Sequence, residues 1–349
     1  MSPAAVPMPR PVAMLGAGSW GTTLAIHLAA LGHRVSLWDH DREQMDRMAA
    51  DRENRKFLSG IALPDAIKVQ PKLEAAVGGA EVIWFVVPSH ALRAVASRVK
   101  GAGARALWVC ATKGLEVETL ERPTEVLGGV LGDPQVVAFV GPSHAEEVSR
   151  GIPTSIVAAC GDEARAQQVQ ELASSSRLRV YTNTDVAGCE YGAALKNVIA
   201  IAAGVCDGLG YGDNTKGALL TRGLAEITRL GVALGGRRET FYGLTGMGDL
   251  ITTAMSRHSR NRHVGERLGH GETIEEVLGA MRMVAEGVNT ARAARELGRR
   301  NRVELPITDQ VCALLLEGRS PREALEALMS RDLKSEEWRG GAGNVASQG

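Results

Sequence analysis

From Val12 to about Tyr181, short apolar or β-branched runs alternate with stretches of helical periodicity, the pattern of a parallel sheet with crossover helices. Runs at 12–15, 34–38, 82–87, 106–110, 136–140 and 154–158 predict strands, with 177–181 as an edge strand. Most are apolar throughout, as strands covered on both faces must be. After Asp185 the texture changes. Gly and Ala become abundant, β-branched runs vanish, and helical periodicities follow at 219–234, 273–281, 291–297 and 307–315. The predicted fold class is α/β: a Rossmann-type doubly wound parallel sheet over residues 11–185, followed by an all-α C-terminal domain over 186–334. Residues 1–10, rich in Pro and Ala, and the polar, Gly-rich tail 335–349 read as disordered.

The first strand opens onto Gly16-Ala17-Gly18-Ser19-Trp20-Gly21, followed by an apolar helical stretch at 22–31. This is the G-x-G-x-x-G arrangement of dinucleotide-binding turns. Gly16 would allow the tight turn, Gly18 the approach of backbone to a pyrophosphate, and Gly21 close packing of helix on strand. The helix N-terminus would offer unpaired N–H groups to the phosphates. NAD or NADP is therefore the predicted cofactor; a plain strand-to-helix turn is the alternative.

In a doubly wound sheet, ligands gather at the carboxyl ends of the strands. Strand 34–38 ends at Asp39-His40, and Asp39 stands eighteen residues beyond Gly21. That is near where an acid takes the adenosine ribose in NAD-binding proteins; the alternatives are a solvated turn or a helix cap. Strand 82–87 ends at Pro88, with Ser89 placed to cap the next helix. Strand 106–110 runs into Ala111-Thr112-Lys113-Gly114, which sets Lys113 where it could hold a substrate anion, although a surface lysine is the plainer reading. The run 136–140 ends at Gly141-Pro142-Ser143-His144. Ser143 and Glu146 there have capping-box spacing, and the N–H groups of such a helix start would also bind a ligand oxygen.

The second half opens on a helix over 191–203 that is small or apolar except for Lys196 and Asn197. The helical neighbours of Lys196, namely Gly192, Ala193, Ile199 and Ala200, are uncharged, so no carboxylate on its own helix can pair with it. A partnerless ammonium in an apolar wall is costly unless it faces a cleft. There its pKa would fall and it would serve as a general acid or base; the alternative is a lysine snorkelling to solvent. Downstream, 243–250 is another glycine-rich turn into a helix, with Asp249 as the expected cap. Next, Ser256-Arg257-His258-Ser259-Arg260-Asn261-Arg262-His263 gathers three arginines and two histidines. Arginine forks suit a phosphate, whereas the plainer reading is a solvated basic face.

The chain's 349 residues suffice for about two domains. Forty basic and forty acidic residues cancel, so no global field favours nucleic acid or an anionic membrane, and the basic cluster lacks the aromatic interleaving of a nucleic-acid groove. A small-molecule partner is the expectation. Five cysteines without C-x-x-C pairs suit reduced, buried thiols, with neither a disulfide framework nor a zinc site. No run reaches membrane-spanning length and no signal peptide is legible, so the reading is cytoplasmic, without stable membrane insertion.

Taken together, Gly16 to Gly21, Ala111 to Gly114, Gly141-Pro142-Ser143, Leu195-Lys196-Asn197-Val198, Gly246-Met247-Gly248-Asp249 and Ser259-Arg260-Asn261 resemble the motifs of the NAD(P)-dependent glycerol-3-phosphate dehydrogenases. The resemblance runs from Val12 to about Leu315. It implies that Ser19, Trp20, His40, Ala145, Val284 and Glu286 line the nucleotide, and that Lys113 and Arg260 touch both ligands. It also implies that Lys196 is the proton acceptor, with Gly141, Ser143, Asp249, Ser259, Arg260 and Asn261 around the glycerol phosphate. Ser143 is often threonine in relatives. Asp39 stands where many of them carry a small or neutral residue, which weakens the implied preference for NADPH.

The reaction implied is reversible hydride transfer between NAD(P)H and C2 of dihydroxyacetone phosphate, giving sn-glycerol 3-phosphate for phospholipid synthesis, with no metal. Lys196 would exchange the proton, Asn197 and Asp249 would orient it, and Arg260 would anchor the phosphate. Two alternatives stand beside this: a related 3-hydroxy-acid dehydrogenase, and a catalytically silent nucleotide-sensing protein. Gly- and Ala-rich helices would suit a homodimer.

Overall fold

The computed structural model describes residues 8–102, 106–281 and 285–332. Eight strands form one sheet: β1 (Pro11–Leu15), β2 (Arg34–Trp38), β3 (Ile67–Gln70), β4 (Val82–Phe85), β5 (Leu107–Cys110), β6 (Val137–Val140), β7 (Thr154–Ala159) and β8 (Leu178–Asn183). Their spatial order is β8-β7-β6-β5-β4-β1-β2-β3. The stretch β3-β2-β1-β4-β5-β6 is the Rossmann order, and it reverses direction between β1 and β4, where ligands bind in such sheets. Val12 and Met14 pack into one core and Ala13 and Leu15 into another, so both faces of β1 are covered. This is why the strands read as unbroken apolar runs.

The sheet departs from the expected all-parallel arrangement at one pair. β6 and β7 are antiparallel, because the chain between them holds only the four-residue helix Ala145–Val148 and does not cross the sheet. β3 and the small ribbon Glu53–Asn54/Leu58–Ala62 have no apolar run to announce them. The sequence Ile-Lys-Val-Gln of β3 alternates, as a half-covered edge strand does. Of the ends read as disordered, only Met8–Arg10 fall within the described residues. Arg10 there pairs with Glu81, and its N–H donates to His33 Nδ1.

Helices α1 (Ser19–Ala30) and α2 (Ser89–Val99) flank the sheet. Beyond Asp185 the main helices are α3 (Val186–Gly208), α4 (Asp213–Ala233), α5 (Asp249–Met255), α6 (Arg260–Gly269), α7 (Glu286–Asn301) and α8 (Pro306–Leu316). α3 is long and apolar enough to cross a membrane, but it is buried as the central helix around which the others pack. Its glycines explain the change in composition. A Cβ on Gly204 would lie 1.9 Å from the Arg262 carbonyl oxygen, and one on Gly265 would lie 1.9 Å from that of Ile201. α3 and α6 thus touch backbone to backbone, and the small residues serve packing within the domain. All five cysteines are buried and unpaired.

Candidate active site

The glycine-rich turn lies at the carboxyl end of β1. Gly16 has φ +115°, and a Cβ there would stand 2.4 Å from the Val86 carbonyl oxygen; one on Gly21 would stand 1.9 Å from the carbonyl oxygen of Gly16. These two glycines are required by the protein itself. A Cβ on Gly18 would meet nothing within 4 Å, and Gly18 caps α1 without any side chain on the helix N–H groups. Trp20 adds a buried indole N–H with no partner among the described residues. Open backbone, a helix N-terminus and an unused donor together fit a dinucleotide pyrophosphate.

Asp39 reaches back into this turn. One carboxylate oxygen accepts the Ala17 N–H at 2.8 Å and the other accepts that of Asp41 at 3.1 Å. His40 Nδ1 lies 2.8 Å from it. The residue that caps the next helix is Asp41, which accepts from the Gln44 N–H. Asp39 is therefore not a helix cap, and its carboxylate lines the cleft while ordering the turn.

That cleft, of about 670 Å³, runs from Gly18, Asp39 and His40 past Lys113 and Ser143 to Lys196, Asp249, Arg260 and Glu286. It unites residues from the ends of β1, β2, β5 and β6 with residues of the helical half. Lys196 is 5% and Asp249 1% exposed. Lys196 Nζ donates to Asp249 Oδ1 at 3.0 Å and to Thr253 Oγ1. Lys113 Nζ donates to the other oxygen of the same carboxylate at 2.8 Å, to the Gly141 carbonyl at 2.7 Å and to Ser143 Oγ at 3.0 Å. Two ammonium groups thus share one buried carboxylate.

The electrostatics follow from this sharing. Burial pushes the Asp249 pKa up, but the two lysines more than offset it and hold the carboxyl below its ordinary range. For Lys196, burial dominates, and Lys113 and Arg260 add repulsion; against the pull of Asp249, its pKa is lowered to about 8.

Three expectations change here. Lys196 is not partnerless: no residue of its own helix pairs with it, but α5 supplies Asp249 and Thr253. Asp249 is not a helix cap, because the π-helical turn Leu244–Gly248 runs directly into α5 and leaves the carboxylate free to face the lysines. Ser143 and Glu146 form no capping box; His144 is the N-cap residue without a side-chain cap, and the turn at Gly141, φ +138°, brings Ser143 to Lys113 instead.

The basic cluster divides. Ser259 caps α6 by accepting the Arg262 N–H at 3.1 Å, and Arg262 pairs with Asp207 and Glu266 away from the cleft. Arg257 and Arg260 are both exposed, but of the two Arg260 alone lines the cleft, at the start of α6. Desolvation lowers its pKa while Glu286 and Glu146 pull it upward. Asn261 donates to Asn197 Oδ1 at 2.9 Å and accepts the Gly287 N–H at 2.9 Å, so Asn197 positions Asn261 and the first turn of α7.

Ser89 does not cap α2 either. Glu286, the first residue of α7, does so from the other half of the chain, accepting from Ser89 Oγ at 2.9 Å and from its N–H at 3.4 Å. Ala145 is buried at the cleft wall. Val284 lies outside the described residues. Among the cleft residues not singled out from the sequence, Thr253 and His144 stand beside the reacting groups. Thr253 was findable, since it follows Asp249 by one helical turn on the same face. His144 was hidden inside the supposed cap.

Comparison with known proteins gives a consistent result. The domain family described as NAD-dependent glycerol-3-phosphate dehydrogenase N-terminus matches residues 11–166, and the corresponding C-terminus family matches 185–326. A glycerol-3-phosphate dehydrogenase [NAD(P)+] of Geobacter sulfurreducens is 49% identical over 336 residues, covering 95% of this chain and all of that one. A second from Salinibacter ruber is 48% identical over 335 residues, covering 95% and 97%. The crystal structure of glycerol-3-phosphate dehydrogenase from Coxiella burnetii superposes with a TM-score of 0.90 at 37% identity, over 93% of this chain and 100% of that one. A ketopantoate reductase from Ralstonia eutropha, at 16% identity and a TM-score of 0.57 over 90% and 99% of the two chains, shares the fold alone.

Proposed function

The chain belongs to the family of NAD-dependent glycerol-3-phosphate dehydrogenases, and we propose that its cleft interconverts dihydroxyacetone phosphate and sn-glycerol 3-phosphate with NADH or NADPH. The observation that carries this reading is the pair of lysines on one buried carboxylate, set between a dinucleotide turn and Arg260. Gly16, Gly18, Ser19, Trp20 and Gly21 would hold the pyrophosphate end of the nucleotide. Asp39 and His40 would take the adenosine end, with Lys113, Ala145, Arg260 and Glu286 along the rest. When bound, the reduced nicotinamide supplies the hydride that arrives at C2.

This chain's residues supply the proton and the alignment. Lys196, with a pKa of about 8, is largely protonated at neutral pH and gives its proton to the C2 oxygen; in the oxidative direction the neutral amine accepts it. Asp249 keeps that ammonium oriented, and Thr253 holds Nζ from a second side. Lys113, on the far oxygen, keeps Asp249 ionised. Its bonds to Gly141 and Ser143 fix it at the substrate. Arg260, Asn261 and the α6 start capped by Ser259 would take the phosphate, whose remote binding energy then aligns C2.

The direct test is nicotinamide absorbance. The protein should oxidise NADH or NADPH with dihydroxyacetone phosphate and leave a bare 3-oxo acid unreduced; the reverse preference overturns the reading. We also place the division between nucleotide and substrate domains at 185/186, a homodimer as the assembly and the cytoplasm as the location. Exposed Tyr242, Ile251 and Met255 support the second, and five buried thiols suit a reducing compartment.

A further inference from the structure

The substrate has three polar ends: a phosphate, the oxygen at C2 and a terminal hydroxyl. Arg260 and the start of α6 answer the first, and Lys196 with its carboxylate answers the second. For the third, most cleft side chains near Lys196 are already engaged. Ser143 is bonded to Lys113 and Gly141. Thr253 is bonded to Lys196 and Asp249. Ser259 caps α6, and Asn261 has its oxygen on Gly287 and its nitrogen on Asn197.

His144 differs. It lines the cleft, and its Nε2 is buried with no hydrogen-bond partner among the described residues. A buried polar atom left without a bond forfeits its hydration with nothing in return, so it marks a place where a ligand group is to be met. The other such atom in the cleft, Trp20 Nε1, sits on α1 at the nucleotide turn and can only donate. The His144 ring stands beside Lys196 and Lys113, with His258 6.1 Å away between ring centres.

Resting on the dehydrogenase reading above, we propose that His144 is the specificity-determining residue for the substrate's uncharged end, its Nε2 hydrogen-bonding the terminal hydroxyl of dihydroxyacetone phosphate. Burial first, and then the ammonium groups of Lys196 and Lys113, outweigh the Thr252 backbone carbonyl and the Asp249 carboxylate and hold its imidazole below the ordinary range, which favours the neutral ring. A neutral imidazole offers a donor or an acceptor according to its tautomer, which matches a hydroxyl, and it adds no third cation to the phosphate end.

The test compares dihydroxyacetone phosphate with acetol phosphate, the same ketone bearing a methyl in place of the terminal hydroxymethyl group. The wild-type protein should favour the former in kcat/KM, and His144→Phe should shrink that preference by roughly tenfold by losing the hydroxyl-bearing substrate alone. His144→Gln, which keeps a donor and an acceptor, should restore most of it. Without turnover, calorimetric affinity for sn-glycerol 3-phosphate should fall in His144→Phe, while that for its 1-deoxy analogue should not. Should His144→Phe fold poorly, His144→Ala must give the same selective loss. An unchanged preference in a folded variant, or equal losses on both substrates, overturns the assignment while leaving the dehydrogenase reading intact. Failure of the wild-type protein to reduce dihydroxyacetone phosphate removes both.

Discussion

The two ends of the cleft are built in opposite ways. At the nucleotide end, the pyrophosphate turn is six consecutive residues, Gly16 to Gly21, and what matters there is backbone: a positive φ, a close approach and open N–H groups. At the reacting end, Lys113, Lys196 and Asp249 come from the end of β5, the middle of α3 and the start of α5, and what matters is side-chain charge in a buried place. A backbone device can be encoded locally and tolerates little change in its residues. A charge device is assembled over long range, and in it Lys196 and Asp249 each answer to burial and to the charges the other members bring.

If that contrast holds, the largest effect belongs to the charge device. Lys196→Ala should leave nucleotide binding near normal and lower turnover by about two to four orders of magnitude, the range for a lost general acid. Steady-state kinetics beside a nucleotide titration checks this; near-normal turnover in a folded variant would dissolve the contrast. Arg260→Ala should cost roughly 1.5–3 kcal/mol in kcat/KM for dihydroxyacetone phosphate, and exposed Arg257→Ala should cost far less. Equal small losses would make the cluster a solvated face.

Within the nucleotide end the comparison can be sharpened residue by residue. Gly16→Ala forces a side chain into φ +115° against the Val86 carbonyl and should destabilise the fold by about 1–3 kcal/mol. Gly18→Ala should leave stability within about 0.5 kcal/mol, because its Cβ meets no protein atom, yet weaken nucleotide binding. Thermal or denaturant unfolding and a nucleotide titration on both variants separate the two roles. The smallest effect is expected at Asp39. Asp39→Gly removes repulsion of a 2′-phosphate and should move the kcat/KM ratio toward NADPH by roughly tenfold. It also frees the Ala17 N–H, so affinity for both nucleotides should fall somewhat. A ratio that stays put would leave Asp39 with the turn-ordering role alone.

The same contrast explains what the sequence could reveal. Strands buried on both faces, the glycine turn and the helical spans are stretches where neighbouring residues jointly satisfy one local geometry, and they were legible as such. β3 was not, because an edge strand of four residues carries no apolar run. Asp249 read as a cap, since the π turn that frees its carboxylate depends on the packing of Phe241 and Gly246. Ser89 and Ser143 also read as caps, although Glu286 caps one helix from a distance of 197 residues and Lys113 claims the other hydroxyl. Lys196 was found by its isolation on an apolar helix, yet the partners that set its chemistry lie 53 and 57 residues away.

The central claim is that Lys196 exchanges the proton and that its pKa, lowered first by burial, is tuned upward by the Asp249 carboxylate and downward by Lys113. The pH dependence of kcat/KM for sn-glycerol 3-phosphate oxidation tests it, because oxidation needs the neutral amine. The rate should rise with pH through an inflection near 8. In Asp249→Asn, where the anion that favours the ammonium is gone, the residual activity should titrate at lower pH. In Lys113→Gln, where a repelling charge is gone, it should titrate at higher pH. Opposite displacements in the two variants are the result this account predicts; an inflection that neither substitution moves would contradict it.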